Sequence, residues 1–225
     1  MTGTVAIIPA RGNSKGIPRK NLAIVAGKPL IQWSIEQSLA AGLPTFVSSD
    51  SPEILELAAA CGASTIERPE HLATDDATTD DVVRHALSMV GEVYQYVVLL
   101  QPTSPIRQPT DIPAAIAITK GTGADSLFSA RRVEGFLWFE RQRGWEPCYD
   151  PIHRCRRQDR KEQRLEENGS IYVFKPWVLD VGGRLAGKIS IMEMHPLDGF
   201  QVDEPSDLEL FEQLFALRLP QEVAA

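Results

Sequence analysis

Short apolar runs alternate with helical segments over the first half of the chain, and this feature limits the fold more than any other. The runs at residues 4–8, 45–49 and 96–100 have the length and composition of strands that are buried on both faces. Strands that alternate with helices form a parallel sheet with helices on both sides. We therefore predict an α/β fold of three layers, α/β/α, around a mostly parallel sheet.

Periodicity and turn residues place the other elements. They predict helices at 29–41, 52–62, 78–90, 111–119 and 206–217, and further strands at 63–66, 126–130 and 169–174. Residues 131–167 are rich in Arg and Lys and lack clean periodicity. We predict that they form a hairpin or arm that packs against a second subunit, so that the protein is a homodimer. The length of 225 residues suits a single domain over residues 1–225.

Composition excludes several classes of protein. The formal net charge of -7 argues against a broad nucleic-acid-binding surface. The three cysteines, Cys61, Cys148 and Cys155, lack metal-binding spacing, and such a sparse, odd set suggests reduced thiols. No stretch approaches the roughly 18 apolar residues of a membrane span, and the first apolar run is too short for a signal peptide. We expect a cytoplasmic protein with no nucleic-acid or membrane partner.

A basic loop directly follows the first predicted strand. Residues 8–22 read IPARGNSKGIPRKNL and carry four cations between Arg11 and Lys20. Glycines allow backbone N–H groups to approach phosphate oxygens, and Arg and Lys neutralise a triphosphate. The loop has neither the Walker pattern nor the dinucleotide fingerprint, so an exposed basic turn is the alternative. Arg11, Asp50 and Gln101 each lie just past a predicted strand, where α/β sheets bind ligands.

The loop resembles the N-terminal signature of the acylneuraminate cytidylyltransferases, which reads approximately I-P-A-R-x-x-S-K-G-x-x-x-K-N. Further matching blocks follow in the order of that family: RPEHLATD at 68–75, LQPTSPIR at 100–107, RQ at 157–158, NGSIY at 168–172 and VDEPSDL at 202–208. The resemblance implies a nucleotide-diphospho-sugar transferase-like fold. It also implies transfer of CMP from CTP to the anomeric hydroxyl of a nonulosonic acid, an acidic nine-carbon sugar such as N-acetylneuraminate or a related bacterial sugar, with release of pyrophosphate.

The resemblance also implies roles for residues that contact the nucleotide. Arg11, Lys15 and Lys20 are expected to bind the phosphates of CTP and to act in catalysis, and Asn21 is expected to contact the nucleotide. Arg68 is expected to contact the nucleotide or its phosphates, with a surface salt bridge as the alternative. Such transfer depends mainly on positioning and on electrostatic stabilisation by cations and metal. No covalent protein nucleophile is needed.

Three residues are expected at the acceptor. By the resemblance, Gln101 hydrogen-bonds the sugar and Asn168 shapes its pocket, although either side chain would equally satisfy a turn. Members specific for sialic acid often carry a Lys in the arm, but residues 134–138 read EGFLW and lack it. Arg157 is our preferred candidate for the sugar carboxylate. Trp138 is expected either to stack on the sugar or to pack in the dimer interface.

Asp203 is the expected ligand of a Mg²⁺ cofactor. Mg²⁺ favours oxygen ligands, usually one or two carboxylates together with phosphate oxygens and waters. The family often has Asp-x-Asp here, whereas this chain reads Gln201-Val202-Asp203, so one carboxylate is missing and a two-metal site on this pair is doubtful. Two alternatives stay open. One is transfer of another nucleotide, such as GMP from GTP to a sugar phosphate, and the other is a non-catalytic nucleotide-sugar binding protein.

Overall fold

A computed structural model describes residues 3–156, 159 and 164–218. Its strands are β1 (Thr4–Pro9), β2 (Ile24–Val25), β3 (Lys28–Pro29), β4 (Thr45–Ser49), β5 (Ser64–Glu67), β6 (Tyr96–Leu100), β7 (Ser126–Arg132), β8 (Trp138–Arg141), β9 (Gly144–Pro147), β10 (Leu165–Phe174) and β11 (Ile189–Met194). Its α-helices are α1 (Leu30–Ala40), α2 (Pro52–Ala60), α3 (Thr79–Met89), α4 (Asp111–Thr122), α5 (Val178–Val181) and α6 (Pro205–Arg218).

Seven strands form one central sheet in the order β11-β7-β10-β6-β1-β4-β5. Strand β10 is antiparallel to β6 and β7, and the other neighbours are parallel. Buried residues of α1, α2 and α4 pack on one face of the sheet, and those of α3 and α5 pack on the other. The predicted three-layer fold with a mostly parallel sheet is therefore confirmed.

A third apolar cluster joins the first loop to the C-terminal part of the chain. Ile17 in the basic loop and Val202 before α6 are both buried there, together with Leu30, Phe211 and Phe215. The ring of Phe215 also lies 4.4 Å from that of Trp33, measured between ring centroids. Burial of these apolar side chains stabilises the contact between two segments that are far apart in sequence. The contact brings the basic loop next to Asp203, the residue that follows Val202.

The chain leaves the central sheet between β7 and β10, within the segment predicted as an arm. Strand β7 continues to Arg132, and β10 begins at Leu165. Between them, β8 and β9 pair with each other as an antiparallel hairpin that is separate from the central sheet. Almost all residues of this hairpin are exposed, so it projects from the body of the domain. Its contact with a second subunit stays a prediction.

Strand β11 is absent from the elements that the sequence predicts. It lies at the edge of the sheet beside β7. Ile189 and Ile191 point outward and are exposed, whereas Met192 and Met194 are buried. Apolar residues on both faces hide the period of two that identifies a half-buried strand. Within the described part of the chain, no helix is both long and apolar enough to span a membrane.

Candidate active site

A cavity of about 330 Å³ opens at the C-terminal ends of β1 and β6. Five residues expected at the site from the sequence line it: Arg11, Lys20, Asn21, Arg68 and Gln101. They come from separate parts of the chain and meet because parallel strands end at the same edge of the sheet. The basic loop therefore lines a cleft and is not an isolated exposed turn.

Two side chains hold the basic loop above the sheet. The backbone N–H of Gly12 donates to Oδ1 of Asp50 at 2.9 Å. Asn21 is buried, and its Nδ2 donates to the carbonyl oxygen of Arg11 at 2.9 Å. Asp50 at the end of β4 is thus an anchor for the loop, and Asn21 fixes the backbone that carries the first cation. The expected contact of Asn21 with a nucleotide stays a prediction.

Lys20 and Asp203 meet across the cleft although 183 residues separate them. The Nζ of Lys20 lies 3.1 Å from Oδ1 of Asp203 and donates to the carbonyl oxygen of Val202 at 2.8 Å. Gly16 packs against the carbonyl oxygen of Asp203, and a Cβ there would lie closer than 3.0 Å to that oxygen. The basic loop and the expected metal ligand therefore form one site.

Asp75 links two further cations of the loop, Arg11 and Lys15. Its carboxylate lies 2.6 Å from Nη1 of Arg11 and 2.8 Å from Nζ of Lys15. Hydrogen bonds from Lys15 and Arg11 lower the pKa of Asp75 below its ordinary value. The carboxylate thus forms ion pairs with two of the cations that are expected to bind phosphate. Sequence reasoning did not place Asp75 in the site, although it closes the RPEHLATD block.

Arg68 is buried and does not form a surface salt bridge. Its Nη2 donates to the carbonyl oxygen of Ser48 at 2.6 Å, and 6% of the residue is exposed. Burial lowers its pKa to about 10, with Asp50 acting in the opposite direction, so the guanidinium is charged at neutral pH. It supplies positive charge to the wall of the cleft.

Arg107 fixes the loop that follows β6. Its fully buried guanidinium donates to the carbonyl oxygens of Gln101 and Ser170 at 2.9 and 2.8 Å. It also donates to Oγ of Ser34 and Oε1 of Gln37 at 3.0 and 2.9 Å. Burial lowers the pKa of Arg107 to about 9, which is still above neutral pH. These bonds tie β6, β10 and α1 together and set the position of Gln101.

A second cavity of about 220 Å³ adjoins the first, because Lys20 of the first contacts Asp203 of the second. Its lining is Arg131, Glu166, Glu167, Asn168, Gly199, Phe200, Gln201 and Asp203. Gly169, with φ +68°, leaves room for two glutamines: a Cβ there would lie 2.7 Å from Oε1 of Gln101 and 2.5 Å from Nε2 of Gln201. Gln101 therefore lies where the two cavities meet.

Asn168 is 2% exposed and acts as part of the scaffold. Its Oδ1 accepts hydrogen bonds from Oγ of Ser129 at 2.6 Å and from the N–H of Ser170 at 3.1 Å. Its Nδ2 lies 3.4 Å from the sulfur of Met194. The side chain therefore shapes the wall through internal contacts. Arg157, the other residue expected at the sugar, lies outside the described residues.

A family model described as cytidylyltransferase matches residues 5–172. The chain belongs to the cytidylyltransferase family. It is 34% identical over 215 residues to N-acylneuraminate cytidylyltransferase A of Danio rerio, covering 92% of this chain and 50% of that protein. It is 41% identical over 128 residues to CMP-N,N'-diacetyllegionaminic acid synthase of Legionella pneumophila, covering 53% of this chain and 54% of that protein. Each match thus spans about half the length of the relative.

A solved structure has the same fold as this chain. It is CMP:2-keto-3-deoxy-manno-octonic acid synthetase in complex with CTP, with a TM-score of 0.72 and 22% identity. The similarity covers 97% of this chain and 100% of that chain. At this level of identity, the comparison supports the arrangement of the sheet and helices.

Asp203 is the carboxylate that the sequence predicts to bind a metal. The side chain of Asp203 is 64% exposed beside Lys20. Nε2 of Gln201 donates to the carbonyl oxygen of Asn168 at 3.0 Å. Over residues 3–156, 159 and 164–218, no group of three His, Cys, Asp or Glu side chains could hold a metal. Such a donor set fits a Mg²⁺ ion that takes most of its ligands from nucleotide phosphates and water.

Proposed function

We propose that this cytidylyltransferase transfers CMP from CTP to the anomeric hydroxyl of an acidic nonulosonic sugar. The new bond joins the sugar oxygen to the α-phosphorus, the bond from that phosphorus to the bridging oxygen breaks, and pyrophosphate and a proton are released. The meeting of the basic loop with Asp203 across the cleft carries the proposal. The names of the two curated relatives, one acting on N-acylneuraminate and one making a legionaminic acid derivative, support this class of acceptor.

The loop cations stabilise the triphosphate as charge moves onto the leaving pyrophosphate. Arg11, Lys15 and Lys20 can each donate charge-assisted hydrogen bonds to phosphate oxygens. Asp75 pairs with Arg11 and Lys15, and Asp203 pairs with Lys20. We infer that the triphosphate displaces Asp75 from Arg11 and Lys15. This exchange of one anion for another avoids leaving the cations unpaired.

The acceptor binds where the two cavities meet, beside Gln101. The amide of Gln101 can both donate to and accept from sugar hydroxyls. Arg107 holds its backbone, and Gly169 leaves space for its side chain. Asn168 fixes the wall behind these groups. Binding of both substrates at rigid strand ends favours in-line attack, because catalysis of this kind depends on positioning.

We propose that the enzyme uses Mg²⁺ held by Asp203 together with phosphate oxygens. When bound, the ion neutralises charge on the triphosphate and orients it. Lys20 lies beside Asp203 and holds the carboxylate at the edge of the cleft. Because Gln201 is neutral, we propose that one carboxylate of the protein holds the ion.

We propose that the β8–β9 hairpin packs against a second copy of the chain. It exposes 47% of Trp138, 45% of Phe139 and 65% of Trp145, which is a large aromatic surface for a short hairpin. We expect sedimentation to show a dimer that Trp145→Asp dissociates. Val93→Asp replaces a comparably exposed residue outside the hairpin and should leave the dimer intact. A wild-type monomer at micromolar concentration would contradict the proposal.

The test of the activity is a reaction panel. Each of the four nucleoside triphosphates is combined with N-acetylneuraminate, legionaminate, pseudaminate or a hexose 1-phosphate in the presence of Mg²⁺. We expect pyrophosphate release with CTP and one of the acidic sugars, and a product with the mass of the CMP-sugar. Asp203→Ala should abolish turnover, and Asp180→Ala, at an exposed residue of α5, should not. Turnover with GTP and a hexose phosphate alone, or binding without turnover, would refute the proposal.

A further inference from the structure

Arg131 is the cation of the second cavity. It lies near the end of β7 and lines this cavity together with Asp203 and Gln201. Among the described residues that line the cavity, it alone carries a positive charge. An acidic acceptor that enters this cavity would therefore meet Arg131. Sequence reasoning did not single out Arg131, because it stands at a strand end among the many arginines of the segment that follows.

The Arg131 side chain is held in place from three sides. Its Nε donates to Oε2 of Glu166 at 2.8 Å, and its Cζ lies 5.1 Å from the centroid of the Phe200 ring. Its Cδ and Cβ pack at 3.0 and 3.1 Å from the position that a Cβ on Gly199 would take. Over the part of the chain that the structure describes, its two Nη groups have no hydrogen-bond acceptor. A guanidinium held by Nε keeps its Nη edge available for a carboxylate.

Each carboxylate of this cavity already has a partner. Glu166 pairs with Arg131, Glu167 accepts a hydrogen bond from the hydroxyl of Tyr172, and Asp203 pairs with Lys20. These contacts reduce the repulsion that an anionic ligand would meet. An anion in this cavity would need direct contact with the guanidinium of Arg131 to offset the three carboxylates.

We infer that Arg131 binds the carboxylate of the acceptor sugar and thereby orients its anomeric hydroxyl. The inference rests on the proposed function. In a 2-keto acid sugar the carboxylate is bonded directly to the anomeric carbon, so the group that binds the carboxylate must lie near the reacting hydroxyl. Arg131 meets this condition, because it shares a cavity with Asp203 at the edge of the triphosphate cleft.

The test compares Arg131→Gln with two matched variants. Arg132→Gln removes the neighbouring arginine of the same strand, whose guanidinium pairs with Glu193 outside the cavity. Arg157→Gln removes the cation expected from the sequence. We expect Arg131→Gln to raise KM for the acidic sugar by about 10- to 100-fold, the effect of losing a hydrogen bond to a charged group. KM for CTP should stay within about twofold of wild type, because the substitution changes the binding site of the sugar and not that of CTP.

Two further measurements separate binding of the carboxylate from a structural effect. Arg131→Lys keeps the charge but loses the paired donors, so it should recover part of the affinity. The methyl ester of the sugar should bind to wild type and to Arg131→Gln equally weakly. The inference would be overturned if KM for the sugar were equal in Arg131→Gln and Arg132→Gln, or if only Arg157→Gln lost affinity for the sugar. Wild-type turnover in the same experiment would still uphold the proposed function. Wild type without turnover on any acidic sugar would overturn both.

Discussion

Replacement of Gly16 by alanine perturbs the contact on which the site depends. The nearest atom to the added Cβ is the backbone carbonyl oxygen of Asp203, which cannot rotate away as a flexible side chain can. Ordinary van der Waals contact begins at 3.4 Å, so the loop and Asp203 must separate by about 1 Å. Overpacking of this kind costs about 1–3 kcal/mol, and we expect the lower end because Gly16 lies in an exposed loop that can shift.

The expected result is a small loss of stability and a larger loss of activity. A cost of about 1 kcal/mol lowers Tm by about 2–4 °C in a chain of this size. Displacement of the catalytic groups by about 1 Å can lower kcat by about 100-fold. Thermal unfolding and pyrophosphate release measure the two effects separately. Unchanged Tm and unchanged turnover in Gly16→Ala would refute the contact between the loop and Asp203.

Gly121→Ala is the matched control, because it makes the same chemical change in α4. No atom lies within 4 Å of the added Cβ, and the glycine has helical geometry. Alanine is favoured over glycine inside a helix by about 0.5–1 kcal/mol. We therefore expect Gly121→Ala to raise Tm slightly and to leave turnover unchanged.

Two further predictions concern buried and competing charges. Arg107→Leu leaves the acceptors of a fully buried guanidinium without their donor, so it should lower the free energy of unfolding by about 3–5 kcal/mol. Urea denaturation measures the loss, and a loss below about 1 kcal/mol would contradict the structural role of Arg107. Asp75→Asn removes the anion that competes with phosphates for Arg11 and Lys15. Calorimetry should therefore show that tripolyphosphate binds several-fold more tightly to the variant than to wild type. Weaker binding would show that Asp75 assists the ligand. Because Lys15 and Arg11 lower the pKa of Asp75, the carboxylate stays charged even at its ordinary pKa. The competition should therefore fade only when the pH falls below that ordinary value.

The sequence predicts the central strands well because their environment is simple. Strands β1, β4 and β6 lie inside the sheet with helices on both faces, so each is a short apolar run. The expectation that Arg11 and Gln101 share one site follows from this sheet alone, since both follow parallel strands. These inferences need no knowledge of distant contacts.

The rest depends on contacts between distant residues. Whether β10 runs parallel or antiparallel is decided by the path of the chain through the hairpin, which leaves no mark in the composition of β10. The salt bridges of Asp75 and Arg131 likewise depend on folding, because an isolated Asp or Arg reads as an ordinary surface charge. Asn168 is expected from its family motif to shape the sugar pocket; its side chain bonds to Ser129 and Ser170, and the residue lines the second cavity.

The joint site of the basic loop and Asp203 is tested most directly by the effect of Mg²⁺ on CTP affinity. Calorimetric titration of CTP, with and without Mg²⁺, gives the strengthening that the metal provides in wild type and in Asp203→Asn. We predict that Mg²⁺ strengthens CTP binding in wild type and that Asp203→Asn removes about tenfold or more of this gain, as loss of a metal ligand or its support does. Metal-free CTP should bind to Asp203→Asn at least as tightly as to wild type, because the substitution frees Lys20 from its salt bridge. An equal gain from Mg²⁺ in the two proteins would contradict a metal site at Asp203.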